Sequence, residues 1–459
     1  MTPVTDGGVS GGGGATVQLA QVAGVTPARI AAAEICAEIR GGEMLDAAFE
    51  RRTGGLDARD RRWLRELVYG MLRQRGVIDA ILAERVRGGS ARVEADLIDL
   101  LRLGVYQLLY MGSVPAYAAI AQTVELAKVR HGIGASKLVN AVLRRVDRER
   151  DGLEPVLPSD PADALAVKYS HPAWLVRRWL SRWGEDATEV LLTRNNAEAP
   201  VVLRPFGIVR EQLEAMLESA AVHVEEGGAP LVRDSIQISG GITLGELGAF
   251  RQGLFFIQDP GSTLVTHYAA LPAGSVVADL CAAPGGKTLE LSRSARLVVA
   301  ADRSPARLTR VVSNRARLEA QNIHVIAADA RFPAIRPVEA VLVDAPCTGT
   351  GTFRRHPDAR WRLRISDLTA MAALQASLLR SAATVVAPGG LLIYSTCSLE
   401  SEENNEQIER FLSENSDWRL EPPPAGAVPS ETLDGGYLRV LPHLHGTDGA
   451  FAARLRRVG

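Results

Sequence analysis

Residues 339–351 read EAVLVDAPCTGTG. Ala340, Val341, Leu342 and Val343 form a short apolar run rich in β-branched residues, the pattern of a strand covered on both faces. Asp344 stands at its C-terminal end, the edge at which open α/β sheets bind ligands. Pro346 cannot continue a ladder, and Gly349 and Gly351 permit close backbone approach, so Asp344 and Cys347 are predicted to share a tight loop. A carboxylate and a thiol held in one loop suggest chemistry at that edge.

Working outward, strand-like segments alternate with helical ones: SVVADL (275–280), RLVVAAD (296–302), NIHVIAAD (322–329), EAVLVD (339–344) and LLIYST (391–396). That alternation predicts a doubly wound parallel sheet. Leu368, Met371, Leu374, Leu378 and Leu379 have helical period and fill the longest crossover, which Pro388-Gly389-Gly390 is expected to end with a turn. The stretch YLRVLPHLHGTDGAFAARLRR (437–457) suits a terminal hairpin.

Toward the N-terminus the text changes. From Pro27 to about Val146 apolar residues recur at helical spacing, and ADLIDLLRLGVYQLLYMG (95–112) is apolar nearly all round, as the central helix of a bundle would be. RERDGLEPVLPSDPADA (148–164), rich in proline and charge, reads as a linker. A helical piece around Trp174 to Trp183, then PVVLRPF, a helix near Glu211 to Ser219, and HVEE and SIQIS indicate a small mixed α/β segment. The Gly-rich start is expected to be disordered.

A length of 459 residues leaves room for several domains. The formal net charge of −1 excludes a uniformly basic coat, although residues 29–150 carry 21 Lys and Arg against 16 Asp and Glu. Arg51, Arg52, Arg59, Arg61, Arg62, Arg144, Arg145 and Arg148 could face phosphate or simply solvate helix surfaces. Four cysteines, at 36, 281, 347 and 397, are too few and too scattered for a disulfide scaffold or a zinc site. No basic-then-apolar leader and no run of about 18 apolar residues is found, so a cytoplasmic protein with no membrane span and no metal is expected.

The first strand of the sheet runs into Asp279-Leu280-Cys281-Ala282-Ala283-Pro284-Gly285-Gly286-Lys287-Thr288 and then a helix. A glycine turn at such a junction lets the backbone approach an anionic or polar ligand. Asp302, 23 residues after Asp279, ends the second strand where a carboxylate takes ribose hydroxyls. Asp329 ends the third, beside the place of an adenine. Four acids in register at strand ends (279, 302, 329, 344) point to a nucleoside-bearing cofactor. Cys397, after LLIYST, brings a second thiol to the edge that holds Cys347. Its thiolate would be favoured by Lys287 or by a helix over Glu402 to Leu412 capped near Ser401. Two thiols and an acid near such a cofactor suit methylation at C5 of a pyrimidine, in which a thiolate adds at C6 and an acid contacts N3.

DLCAAPGGKT, LVDAPCTGTG, RRHPD (354–358) and YSTCSLESEEN (394–404) together resemble the Fmu/Sun family of RNA 5-methylcytosine methyltransferases, the ribosomal small subunit methyltransferase B type. LVYGMLR, GVYQLLY, AAIAQTVELAK and LVNAVLRRV resemble its NusB-like RNA-binding domain. The resemblance implies a multidomain protein. Its parts are a disordered tail (1–25), an all-α NusB-like domain (26–150), a linker (151–172), a small α/β RNA-binding subdomain (173–262) and a Rossmann-like methyltransferase domain (263–459). It implies that Cys281, Ala282, Ala283, Pro284, Gly285, Gly286, Lys287, Asp302, Asp329 and Asp344 bind S-adenosyl-L-methionine. Cys397 would be the nucleophile and Cys347 would assist product release, with Asp344 facing the base and Lys287 beside the nucleophile. The implied substrate is one cytidine of 16S ribosomal RNA, the small-subunit RNA, free or in a partly assembled particle. Arg354, Arg355, His356 and Asp358 would line the RNA or base site.

One departure is Asp448-Gly449-Ala450-Phe451, where the family has Asp-Gly-Phe-Phe; the loss of an aromatic bears on packing of the last hairpin. The rival readings are a DNA cytosine-5 methyltransferase attacking through Cys347, a non-catalytic RNA-binding assembly factor, and a nicotinamide-dependent dehydrogenase. The helical N-terminal part, the intact Cys347, Cys397 and Asp344, and the missing phosphate fingerprint weigh against them in turn.

Overall fold

A computed structural model describes residues 22–239 and 244–458. The Gly-rich start lies almost wholly outside the described residues. The chain divides into two compact units, Met1–Asp160 and Pro161–Gly459.

The first unit is helical, with helices Pro27–Arg40, Leu45–Arg52, Ala58–Arg73, Arg75–Arg85, Ala95–Tyr110 and Ala116–Glu149. Pro27 opens the first helix, where its missing N–H costs no bond. The Asp57 carboxylate caps the third by accepting from the Asp60 N–H at 2.7 Å. Ala95–Tyr110 is buried from Asp96 to Gln107 and forms the centre of the bundle. A Cβ on Gly104 would stand 2.7 Å from Leu143 Cδ1, so glycine lets this helix close on Ala116–Glu149. Its charged residues Asp96, Asp99 and Arg102 are paired with Arg40, Arg130 and Asp79 rather than left bare.

The second unit begins inside the stretch expected as linker. Pro161–Lys168 is a helix whose Ala162, Leu165 and Ala166 pack against Leu175, Val176 and Trp179 of the next helix, Ala173–Asn196. Burying that apolar face stabilises a helix in what composition alone marks as spacer. Next, β1 (Val201–Pro205), β2 (His223–Val224), β3 (Ile236–Ser239) and β4 (Phe255–Ile257) form an antiparallel sheet in the order β2-β3-β1-β4.

The larger sheet holds β5 (Val276–Asp279), β6 (Leu297–Asp302), β7 (Ile323–Ala327), β8 (Val338–Asp344), β9 (Val386–Thr396), β10 (Trp418–Leu420), β11 (Leu433–Asp434), β12 (Tyr437–Val440) and β13 (Ala450–Arg457). Its order is β11-β12-β13-β9-β8-β5-β6-β7, with β10 on β13. β5 to β9 pair in parallel, as the alternation predicted, and β13 runs antiparallel to β9. The hairpin of β12 and β13 is present. Phe451 packs against Tyr437 with ring centroids 5.3 Å apart, and the small Ala450 sits under Gly261. The alanine of the departing motif therefore fits a close helix contact.

Two local expectations are corrected. Pro388-Gly389-Gly390 does not precede the strand: Val386 already pairs with Val338, and the three residues bulge out before pairing resumes at Leu391. Proline lacks the ladder N–H and Gly389 has φ +71°, so the segment forms a bulge inside β9. The α-helix after Cys397 is Asn405–Glu414, because Ser401–Glu403 forms a separate 3₁₀ turn and Ser401 caps nothing. Among the described residues no helix is long and apolar enough to cross a membrane.

Candidate active site

Asp279, Asp302 and Asp344 are the last residues of β5, β6 and β8, and parallel pairing brings these three strand ends to one edge. Asp279 is 1% exposed. Its Oδ2 accepts from Thr288 Oγ1 at 2.6 Å, while Oδ1 is buried without a partner in hydrogen-bond geometry. Burial pushes its carboxyl up to about 7. Asp302 accepts from the Ser304 N–H at 2.9 Å and the Ala283 N–H at 3.3 Å. Asp329 departs from the expected register. It lies two residues beyond β7, and Arg331, hydrogen-bonded to its carboxylate at 2.6 Å, holds it down at about 2.

The turn between Asp279 and the helix Gly286–Ser292 contains a cis Ala283–Pro284 bond, with Ala282 and Ala283 buried and Pro284 exposed. Gly285 has φ +110°, which glycine adopts without strain. A Cβ there would come within 3.3 Å of Val311, and one on Gly286 within 3.0 Å of Gln258 Nε2. Cys281 is half-buried against the apolar core, which pushes its thiol up and makes it inert. The two glycines thus let the turn close against Val311 and Gln258 beside the buried Asp279 carboxylate.

Lys287, on that helix, places Nζ 2.8 Å from Asp344 Oδ2, and Asp344 Oδ1 accepts from Ser395 Oγ at 2.8 Å. Burial by itself would lower the Lys287 ammonium, but the Asp344 carboxylate outweighs it and keeps the amine charged. The positive charge also interacts with the Cys397 sulfur. Lysine, not the N-terminus of the displaced helix, is thus the cation at the thiol.

Cys347 follows β8, Cys397 follows β9, and the two sulfurs are 3.2 Å apart. The Cys347 thiol is raised well above its ordinary value, first by the hydrogen bond to Cys397 and then by burial. The structure brings Lys287, Asp344, Cys347 and Cys397 together. Sequence reasoning missed Glu403, whose fully buried carboxylate accepts from Thr348 and Ser398. The run SEEN resembles an exposed helix start, and no local signal marks which acid turns inward.

The RRHPD segment is not an open surface. Arg355 is clamped between Asp259 and Asp448, each at 2.6 Å, and Arg354 donates to the Glu198 and Gly446 carbonyls. Asp358 is buried against Arg362. These side chains tie neighbouring segments of the second unit to one another. In the helical unit, Arg51, Arg52 and Arg145 are in ion pairs with glutamates, and Arg51, Arg59, Arg61, Arg62, Arg144, Arg145 and Arg148 are exposed.

Comparison with known proteins agrees with this architecture. The family description "16S rRNA methyltransferase RsmB/F" matches residues 269–456, the NusB family residues 26–148, and an RsmF/B-like ferredoxin-like domain residues 171–243. Ribosomal RNA small subunit methyltransferase B of Vibrio cholerae is 34% identical over 420 residues, 88% of this chain and 94% of that protein. The protein of the same name from Pseudomonas syringae pv. tomato is 33% identical over 442 residues, 94% and 97% of the two chains. The crystal structure of PH0851 matches with a TM-score of 0.79 at 27% identity, covering 95% of this chain and 100% of that one. By these matches along nearly its whole length, the chain belongs to the ribosomal RNA small subunit methyltransferase B family.

Proposed function

We propose that this protein methylates C5 of a cytidine in 16S ribosomal RNA with S-adenosyl-L-methionine, through a transient bond between Cys397 Sγ and C6 of the base. The observation that carries this reading is the pair of sulfurs 3.2 Å apart beside the Lys287–Asp344 ion pair. A cytosine C5 is not nucleophilic unaided. Thiolate addition at C6 turns the ring into an enamine as Asp344 contacts N3, and the Lys287 ammonium paired with that carboxylate offsets the negative charge that develops there. S-adenosyl-L-methionine supplies an electrophilic methyl group on a sulfonium.

The residues present fit that cofactor. Cys281, Ala282, Ala283, Pro284, Gly285, Gly286 and Lys287 would hold it along the turn, where Asp279 Oδ1, buried without a partner in hydrogen-bond geometry, leaves an acceptor. Asp302 retains lone pairs for ribose hydroxyls, Asp329 would meet the adenine, and Asp344 would contact both cofactor and base.

The thiol chemistry balances. Cys397 attacks as the thiolate, and Lys287 favours that charge. With Cys397 bound to the base as a thioether, release requires Cys347 to give up its thiol proton to solvent and act as the base. Cys347 then takes the C5 proton as the C6–S bond breaks and Cys397 leaves as thiolate. One proton is released per methyl group. Exposed Arg59, Arg61, Arg62, Arg144 and Arg148 are the phosphate contacts of the helical unit.

The test incubates wild type, Cys397→Ala and Cys347→Ala with S-adenosyl-L-methionine and small-subunit ribosomal RNA containing 5-fluorocytidine. Fluorine at C5 blocks release, so the nucleophile stays attached on a denaturing gel. An adduct lost only with Cys397→Ala supports the reading; loss only with Cys347→Ala reverses the roles, and no adduct from wild type rejects the chemistry.

A further inference from the structure

Glu403 reaches the residue that follows each thiol. Its Oε2 accepts from the backbone N–H of Thr348 at 2.9 Å and from Gln375 Nε2 at 2.9 Å. Its Oε1 accepts from Ser398 Oγ at 2.6 Å and from the Thr348 hydroxyl. Thr348 follows Cys347 and Ser398 follows Cys397. The same Gln375 amide donates its other hydrogen to the Pro346 carbonyl at 2.9 Å, so Cys347 is held on both sides. Tyr394 anchors the turn itself, donating to the Glu403 carbonyl at 2.7 Å from β9.

The groups around this carboxylate are arranged as donors. Ser398 Oγ accepts from the Glu400 N–H at 3.1 Å, leaving its own hydrogen for Glu403. The Thr348 N–H and the Gln375 amide can only donate. Four donors converge on the two Glu403 oxygens. A fully buried carboxylate is a costly way to join two loops unless their spacing matters.

We propose that Glu403 is a positioning residue for product release: its carboxylate locks the Cys347 loop to the Cys397 loop, so that Cys347 stays beside the carbon whose proton it must take. The proposal rests on the roles given to the two thiols above. Attack by Cys397 needs only that sulfur and the base, whereas release needs both sulfurs in register. Loosening the lock therefore affects the second step more than the first.

The test uses full-length wild type, Cys347→Ala, Glu403→Gln and Thr348→Val with S-adenosyl-L-methionine and unmodified small-subunit ribosomal RNA. Covalent protein–RNA adduct and released 5-methylcytosine are measured together. In Glu403→Gln the hydroxyls of Thr348 and Ser398 can rotate to accept from the new amide, so the loops remain joined less rigidly. Released product should fall roughly 10- to 100-fold. Adduct per enzyme should rise toward the Cys347→Ala level, and methyl incorporated in the first turnover should stay within about twofold of wild type. A purely structural role would instead lower incorporation and release together without adduct, and that result, or unchanged turnover, overturns the proposal. If Glu403→Gln does not melt cooperatively, Thr348→Val decides, since it removes one hydroxyl and keeps the backbone bond; it should accumulate adduct more weakly. If wild type gives no adduct with 5-fluorocytidine RNA and Cys347→Ala accumulates none, the thiol roles fail. If those two behave as expected and neither lock variant accumulates adduct, only the role of Glu403 fails.

Discussion

Cys347 and Cys397 are 50 residues apart in the chain and their sulfurs are 3.2 Å apart. The cause is register: Asp344 pairs with Ser395 across β8 and β9, so the residues just past these strands leave the sheet together. In the proposed mechanism only Cys397 attacks. Cys347→Ala should keep a full first burst of methyl incorporation while steady-state turnover falls roughly 10²–10⁴-fold, the usual loss for a missing acid–base group. Rapid-quench measurement of burst and steady state separates these phases, and equal loss in both would place Cys347 in the attack itself.

Asp279 gives a pH signature. Its carboxyl is pushed up to about 7 in the fold, against an ordinary value near 3.9 unfolded. Between those values the folded state binds more protons than the unfolded state, so stability falls as pH rises from about 4 to about 7 and then levels off. Asp279→Asn lacks this titration, so its urea midpoint relative to wild type should improve from pH 5 to pH 8. Asp448, also raised to about 7, is present in both proteins and cancels. A constant difference between the two midpoints would show that Asp279 stays ionised throughout.

Gly351 passes close to two other backbones. Its N–H donates to the Cys397 carbonyl at 2.9 Å and its own carbonyl accepts from the Gly449 N–H at 2.8 Å. A Cβ at this position would lie 2.7 Å from Cys397 O and 2.8 Å from Gly449 Cα. Backbone must move to admit it, at a cost of about 1–3 kcal/mol. Gly351→Ala should lower kcat about 100-fold through displacement of Cys397. Activity within twofold of wild type would mean the loops tolerate the shift.

Arg355 distinguishes a structural clamp from an RNA contact. Arg355→Met leaves the buried Asp259 and Asp448 without their shared cation and should destabilise the protein by about 3–5 kcal/mol. The salt dependence of RNA binding by the folded variant should be unchanged. Were Arg355 instead on phosphate, the slope of log K against log salt would fall by about one and stability would barely change.

Much of the site was legible because parallel strands with helical crossovers deliver every strand's C-terminal end to the same edge. Asp279, Asp302, Asp344, Cys347 and Cys397 could therefore be placed together from strand pattern alone, and the glycine turn with Lys287 from its position before a helix. Side-chain partners drawn from distant segments were not legible. Asp329 slips past its strand end and pairs with Arg331, and the bulge at Pro388-Gly389-Gly390 depends on how β9 pairs with Val338.

The sequence by itself determined the order of elements and the edge on which the chemistry sits, since hydrophobic period and strand ends are local properties. The tertiary structure alone decided which charged side chains are buried. Glu403 and Arg355 stand in polar runs that would serve equally well on a surface. Each is drawn inward because donors or carboxylates from segments 55 and about 95 residues away converge on it, and a buried charge is tolerated only where such partners meet.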